Sequence, residues 1–106
     1  MTRTALPTRR QSITLDADWQ GMPLTITIGF DAHGVPRETF ADAPGGIGNV
    51  VSDAATVISI ALQHGIAPAA LAKSLGRVPA YINGAEAEAP ASPIGTILQA
   101  LMEAAQ

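Results

Sequence analysis

The sequence predicts an α+β fold in which a three-stranded antiparallel β-meander is followed by two or three helices packed on one face. Apolar and polar residues alternate with a period of two through the first part of the chain, which is typical of half-buried strands. Beyond residue 43 the apolar period becomes three to four, which is typical of helices. Of the 106 residues, 47% are hydrophobic and 14% charged, so we expect a folded domain with one modest core.

Three alternating runs predict the strands, at residues 12–18, 22–30 and 35–41. Gly21 supplies a turn between the first two runs, so we expect them to pair as a hairpin. Residues 31–34 have turn composition and separate the second run from the third. The strands therefore follow one another as a meander.

Three segments predict helices, at residues 49–63, 67–75 and 93–105. The first is apolar around most of its circumference, so we expect it to lie across the sheet at the centre of the core. The second is short and has Pro68 in its first turn. Residues 85–92 are rich in Ala, Glu and Pro, and this composition predicts a linker before the last helix.

The first eleven residues are polar and basic, which predicts a flexible N-terminal arm at residues 1–11 before a single α+β domain at residues 12–106. The chain contains no cysteine, so disulfides, thiolate nucleophiles and thiolate zinc sites are excluded. We therefore expect no metal and no cofactor.

Charge and hydropathy restrict the partners. Six basic residues against nine acidic ones give a net charge of −3, and three of the basic residues are Arg3, Arg9 and Arg10. This leaves no basic face of the size that nucleic acids require, so we expect no nucleic-acid partner. No apolar run reaches about 20 residues and no signal peptide is evident, so we expect a cytoplasmic protein without a membrane partner.

Three segments in order carry a resemblance to a known family: LPTRR at residues 6–10, PLTITIGFDAHGVPRETF at residues 23–40, and VISIALQHGIAPAAL at residues 57–71. They resemble the C-terminal domain of adenosylcobalamin-dependent ribonucleotide reductases, which is called the TSCPD domain. The resemblance covers nearly the whole chain. Where the family often has cysteines, this sequence has residues 77–79 (RVP) and 92–93 (SP).

The resemblance implies an accessory role near deoxyribonucleotide synthesis rather than the reduction itself, because 106 residues cannot contain the radical-bearing barrel of the enzyme. The main hypothesis is therefore a non-catalytic accessory or regulatory binding module. Its expected partner is a ribonucleotide reductase or another protein.

A glycine-rich loop before the first helix is the candidate ligand site, because free N–H groups and the positive end of a helix dipole favour anions. The same glycines could instead form a turn that lets the helix pack closely on the sheet. Two arginines of the arm could contact a phosphate or an acidic partner. The candidate contacts are Gly45, Gly46, Gly48, Asn49, Arg9 and Arg10.

Small polar residues three or four positions apart predict a partner surface, or a solvated face, on the first helix. Its members are Ser52, Asp53, Thr56 and Ser59. A partner could also be a second copy of the chain, because an uncovered edge strand or open sheet face can drive dimer formation.

Two alternatives remain open. One is a small helix-turn-helix DNA-binding protein: residues 71–82 resemble a helix-turn-helix, although the recognition segment at residues 79–84 has no basic residue. The other alternative is an enzyme with a carboxylate–histidine site around His33. Its candidate residues are Asp31, His33, Glu38, Asp42 and His64.

Overall fold

The computed structural model describes residues 11–105, and the predicted arm lies outside them except for Gln11. The α+β prediction is confirmed: a three-stranded antiparallel sheet in the order β1-β2-β3 is joined by a two-stranded sheet and three helices. The elements are β1 (Ser12–Trp19), β2 (Met22–Phe30), β3 (Pro36–Asp42), a 3₁₀ turn (Gly45–Ile47), α1 (Gly48–Gln63), α2 (Pro68–Ala72), β4 (Arg77–Ile82), β5 (Ala85–Pro90) and α3 (Pro93–Ala104).

The hairpin of β1 and β2 is closed by a two-residue turn. Gln20 and Gly21 have φ values of 50° and 84°, the left-handed values that a type I′ turn requires at both central positions. The Asp18 carboxylate accepts a hydrogen bond from the Gly21 N–H at 2.9 Å. This turn fixes a register in which apolar residues of both strands share the inner face: Ile13, Leu15 and Ala17 from β1, and Leu24, Ile26 and Ile28 from β2.

The core lies between this inner face and the helices. α1 packs against β3, and α3 contacts all three strands as well as α1 and α2. Burying aliphatic side chains between these layers is the main stabilising contribution to such a fold. The buried apolar residues are Leu24, Ile26, Ile28, Phe30, Ala41, Val51, Ala55, Ile58, Leu62, Ile97, Leu98 and Leu101.

The prediction of a linker at residues 85–92 is wrong, because residues 85–90 form β5, which pairs with β4 as a second hairpin. Its turn is Asn83-Gly84, with φ values of 54° and 79°. Asn-Gly is the preferred pair for a type I′ turn, and this local preference outweighs the low strand propensity of the alanines and glutamates that follow.

The helix-turn-helix of the first alternative is not formed either. Its recognition segment overlaps β4, and α2 ends at Ala72. A strand cannot present side chains as a recognition helix does in a major groove.

By length and hydropathy alone, the helical segment at Gly45–Gln63 could cross a membrane, with 19 residues and a mean hydropathy of 1.4. The core helix of a soluble protein has the same properties. Here α1 buries Val51, Ala55, Ile58 and Leu62 against the rest of the fold, which explains part of its apolar character.

Candidate binding surfaces

The glycine loop joins β3 to α1. Gly45 and Gly46 are exposed, and Gly45 has a φ of +75°. A Cβ at Gly48 would lie 2.8 Å from the Ala43 carbonyl oxygen, whereas a Cβ at Gly46 would meet nothing within 4 Å. Gly48 therefore has a packing role, since it lets the first turn of α1 approach the end of β3.

The N-terminus of α1 has no side-chain cap, and Asn49 is exposed beside it. Its first N–H groups thus have no side-chain acceptor among the described residues. Anion binding at this loop stays a prediction. Arg9 and Arg10, its other predicted contacts, lie outside the residues that the structure describes.

The small polar residues of α1 do not form one open surface. Ser52, Asp53 and Thr56 are exposed, but Ser59 is only 8% exposed. The Ser59 hydroxyl accepts a hydrogen bond from the Thr39 N–H and donates one to the Thr39 carbonyl, both at 2.9 Å. The assignment of Ser59 to a partner surface is wrong, because its hydroxyl pairs with the backbone of β3.

An apolar groove lies where the three helices meet. It has a volume of about 190 Å³ and opens to solvent. Its lining is aliphatic: Val57, Ile58, Ala61, Leu71, Leu75, Ile94 and Leu98. Val57 is 67% exposed, and Val50 and Ile60 on the same helix are also largely exposed. Val57 therefore lies at the open side of the groove.

This groove was not predicted, because the whole apolar circumference of α1 was expected to lie in the core. α1 has more apolar positions than one sheet face can cover. This excess of apolar residues was the feature of the sequence that could have indicated an exposed apolar surface.

A second groove, of about 490 Å³, lies between β1 and α3. Ile13, Leu15 and Ala17 form part of its floor, and its rim includes Asp16, Asp18 and Glu103. Gln99 also lines it and donates from Nε2 to Glu103 at 3.4 Å, while its buried Oε1 has no hydrogen-bond partner among residues 11–105. The polar groups on this groove are therefore mainly acceptors and negative charges.

Two members of the candidate carboxylate–histidine site, Asp31 and His64, make local contacts. Asp31 accepts hydrogen bonds from the N–H groups of His33 and Val35, at 2.8 and 3.0 Å, and forms an ion pair of 3.1 Å with Arg37. The Val35 hydrogen bond, with help from Arg37 and His33, holds the pKa of Asp31 below its usual value. His64 directly follows α1, and its Nδ1 lies 2.9 Å from the carbonyl oxygen of Ile60 in that helix.

Within residues 11–105, no group of three or more histidine, aspartate or glutamate residues is placed to hold a metal ion. Asp31 accepts hydrogen bonds within the turn between β2 and β3. Arg37, which is paired with Asp31, also donates a hydrogen bond to the Leu62 carbonyl at 3.0 Å. This chain of contacts ties the start of β3 to the end of α1.

Comparison with known proteins gives one match. The family model described as the TSCPD domain matches residues 2–105, which is nearly the whole chain. No significant match was found among curated proteins or among solved structures.

Proposed function

This chain belongs to the TSCPD domain family, whose domain is found in ribonucleotide reductases, and on that premise we propose that it is a non-catalytic accessory module that binds a reductase polypeptide. The observation that carries the proposal is the open aliphatic groove between the three helices. Asp31, one of the candidates for catalysis, is held in its own turn by the N–H groups of His33 and Val35 and by Arg37.

The chemistry of the groove indicates the kind of segment that it binds. Its lining has almost no polar atoms, so specificity must come from shape and apolar contact. Val57 on α1, Leu75 after α2 and Ile94 on α3 surround the opening and are partly exposed. A groove between helices suits the apolar face of an amphipathic helix, whose anchor residues recur three or four positions apart.

The experiment is a calorimetric titration of the chain into purified adenosylcobalamin-dependent ribonucleotide reductase from the same organism. We expect Val57→Asp to weaken binding at least tenfold, because it places a charge at the opening of the groove. Thr56→Asp is the matched control: it adds the same charge one residue away, at an exposed position outside the groove lining.

The proposal fails if the unaltered chain does not bind the reductase, or if both variants weaken binding equally. Circular dichroism of each variant establishes that the fold is retained. A measurement of reductase activity with and without the bound chain then shows whether binding regulates the enzyme.

A further inference from the structure

β1 is an edge strand whose outward backbone groups are unpaired. In an antiparallel ladder, hydrogen-bonded and non-hydrogen-bonded pairs alternate along the strands. The two-residue turn makes Trp19 and Met22 a hydrogen-bonded pair, so the odd-numbered residues of β1 pair with β2. The even-numbered residues direct their N–H and C=O groups outward, and no described residue hydrogen-bonds to those backbone groups: Ser12, Thr14, Asp16 and Asp18.

The two faces of this edge differ in chemistry. The even-numbered side chains lie on the outer face of the sheet, where Asp16 and Asp18 place two exposed carboxylates next to each other. The odd-numbered side chains lie on the inner face, at the groove between β1 and α3. Ile13, which is 39% exposed, Leu15 and Ala17 make that side aliphatic. A strand added here would therefore meet carboxylates on one face and apolar groups on the other.

The negative charge around the groove is not balanced by the described part of the chain. Glu103 lines it from α3, across from the two aspartates of β1. The basic residues among residues 11–105 are Arg37, Lys73 and Arg77, and none of them lines the groove. A surface of this kind selects a partner of the opposite charge.

We propose that the β1 edge binds an extended basic segment of a partner protein, which adds antiparallel to β1 as a fourth strand. Backbone N–H and C=O groups of the segment pair with the outward groups of Thr14 and Asp16. Successive side chains of a strand point to opposite faces, so the segment alternates basic and apolar residues. Its basic side chains lie beside Asp16 and Asp18, and its apolar ones lie over Leu15 and Ala17.

This surface accepts neither a second β1 nor the partner segment of the proposed function. Pairing two copies of β1 would bring Asp16 and Asp18 of both together, and like charges on neighbouring strands repel. The groove of the proposed function is separate, because no residue lines both grooves. The proposal therefore does not rest on binding of the reductase.

A synthetic peptide of seven alternating lysine and valine residues, with blocked ends, is the probe. Hydrogen exchange of the amides of the chain is followed by NMR with and without saturating peptide. We expect the outward N–H groups of Thr14 and Asp16 to exchange about tenfold more slowly when the peptide is bound. The N–H groups of Leu15 and Ala17, which already face β2, should change little.

Two control peptides separate backbone pairing from charge. In the first, the backbone nitrogens of the lysines are methylated, which keeps the positive charge but removes the N–H groups that face β1. In the second, glutamate replaces lysine. We expect both to bind about tenfold more weakly than the probe or worse. Equal binding of the methylated peptide would mean that the surface attracts cations without strand pairing, and would overturn the proposal.

Asp16→Lys tests the charge on the protein side. Asp16 is exposed, and circular dichroism establishes that the variant keeps its fold. We expect the dissociation constant of the lysine–valine peptide to rise about tenfold. Asp42→Lys is the matched control: it makes the same change at an exposed position on the same face, but on β3, with Thr25 of β2 between the two aspartates. This control should bind the peptide nearly as the unaltered chain does.

Three other results would overturn the proposal: no peptide binding up to millimolar concentration, equal slowing of outward and inward amides, or equal losses in the Asp16 and Asp42 variants. Val57→Asp should leave peptide binding unchanged, because Val57 lies in the other groove. Binding of the reductase is measured separately, so either proposal can fail alone.

Discussion

The two edges of the three-stranded sheet differ in whether their outward backbone groups are hydrogen-bonded. At the β3 edge, the N–H and C=O of Thr39 both pair with the hydroxyl of Ser59, and α1 covers the strand. At the β1 edge, no described residue pairs with the outward backbone groups, and the neighbouring groove is open. An unpaired sheet edge is a template for association. The difference therefore indicates which edge is completed within the chain and which is available to a partner.

The largest expected effect is the loss of stability on placing proline at the β3 edge, compared with proline at the β1 edge. Thr39→Pro removes a buried N–H that bonds Ser59 and a hydroxyl that bonds the Thr27 carbonyl at 2.9 Å. We expect it to lower the free energy of unfolding by more than about 3 kcal/mol. Asp16→Pro removes only an outward N–H, so the monomer should lose less than about 1 kcal/mol. Urea unfolding measures both, and equal losses would contradict the comparison.

Ser59→Ala tests the β3 edge from the helix side. It leaves the Thr39 N–H and C=O buried without their partner, so we expect a loss of about 2 kcal/mol in urea unfolding. Ser52→Ala, two turns earlier on the same helix and exposed, should stay within about 0.5 kcal/mol of the unaltered chain. If Ser59→Ala were equally harmless, the hydroxyl would not be what completes this edge.

Gly48→Ala tests how α1 is held against the end of β3. The new Cβ would lie 2.8 Å from a backbone oxygen, so the helix must shift, at a cost of about 1–2 kcal/mol. Gly46→Ala meets open space and should be nearly neutral. Thermal unfolding of the two variants should differ by several degrees. The same melting temperature for both would mean that the close approach at Gly48 is not required.

Asp31→Asn should give the smallest effect, and one that depends on pH. The N–H of Val35, followed by Arg37 and His33, holds the pKa of Asp31 below its usual 3.8 in the folded chain. Its carboxylate therefore stabilises the folded state fully above that value, and the contribution is lost as the pH falls through the lowered pKa. The difference between Asp31→Asn and the unaltered chain should be full at neutral pH and shrink in acid.

The measurement for Asp31 is urea unfolding across the acidic range, with Asp16→Asn as a control that removes one carboxylate from the β1 edge. A stability difference that stays constant down to the lowest pH would contradict the ion pair and the turn hydrogen bonds as its cause.

The meander could be predicted from the sequence because its information is local. Alternation and turn residues define β1 and β2, and the same pattern defines β3 within a residue or two. The β4–β5 hairpin was missed although Asn83-Gly84 is a strong turn signal, because Ala and Glu around it have low strand propensity. In this hairpin, the turn preference of Asn83-Gly84 outweighs the low strand propensity of its neighbours.

The faces of α1 were harder to assign, because hydropathy alone does not show what lies opposite a residue. Ser59 belongs to a polar stripe, which predicts solvent, yet that stripe meets a sheet edge whose backbone needs hydrogen bonds. Val57 belongs to an apolar region, which predicts burial, yet it is 67% exposed. Both assignments depend on the order of the strands and on which edge the helix covers. The second groove, between β1 and α3, could not be predicted for the same reason, because it forms only when these two elements pack together.

The β4–β5 hairpin contains no fully buried residue, and besides its own pairing its main contact is with α3. Segments with few buried contacts open locally at a small fraction of the global unfolding free energy. Its amide hydrogens should therefore exchange with deuterium well before those of β2, whose inner side chains are fully enclosed. We therefore expect a slowly exchanging meander and a hairpin beside it that opens independently.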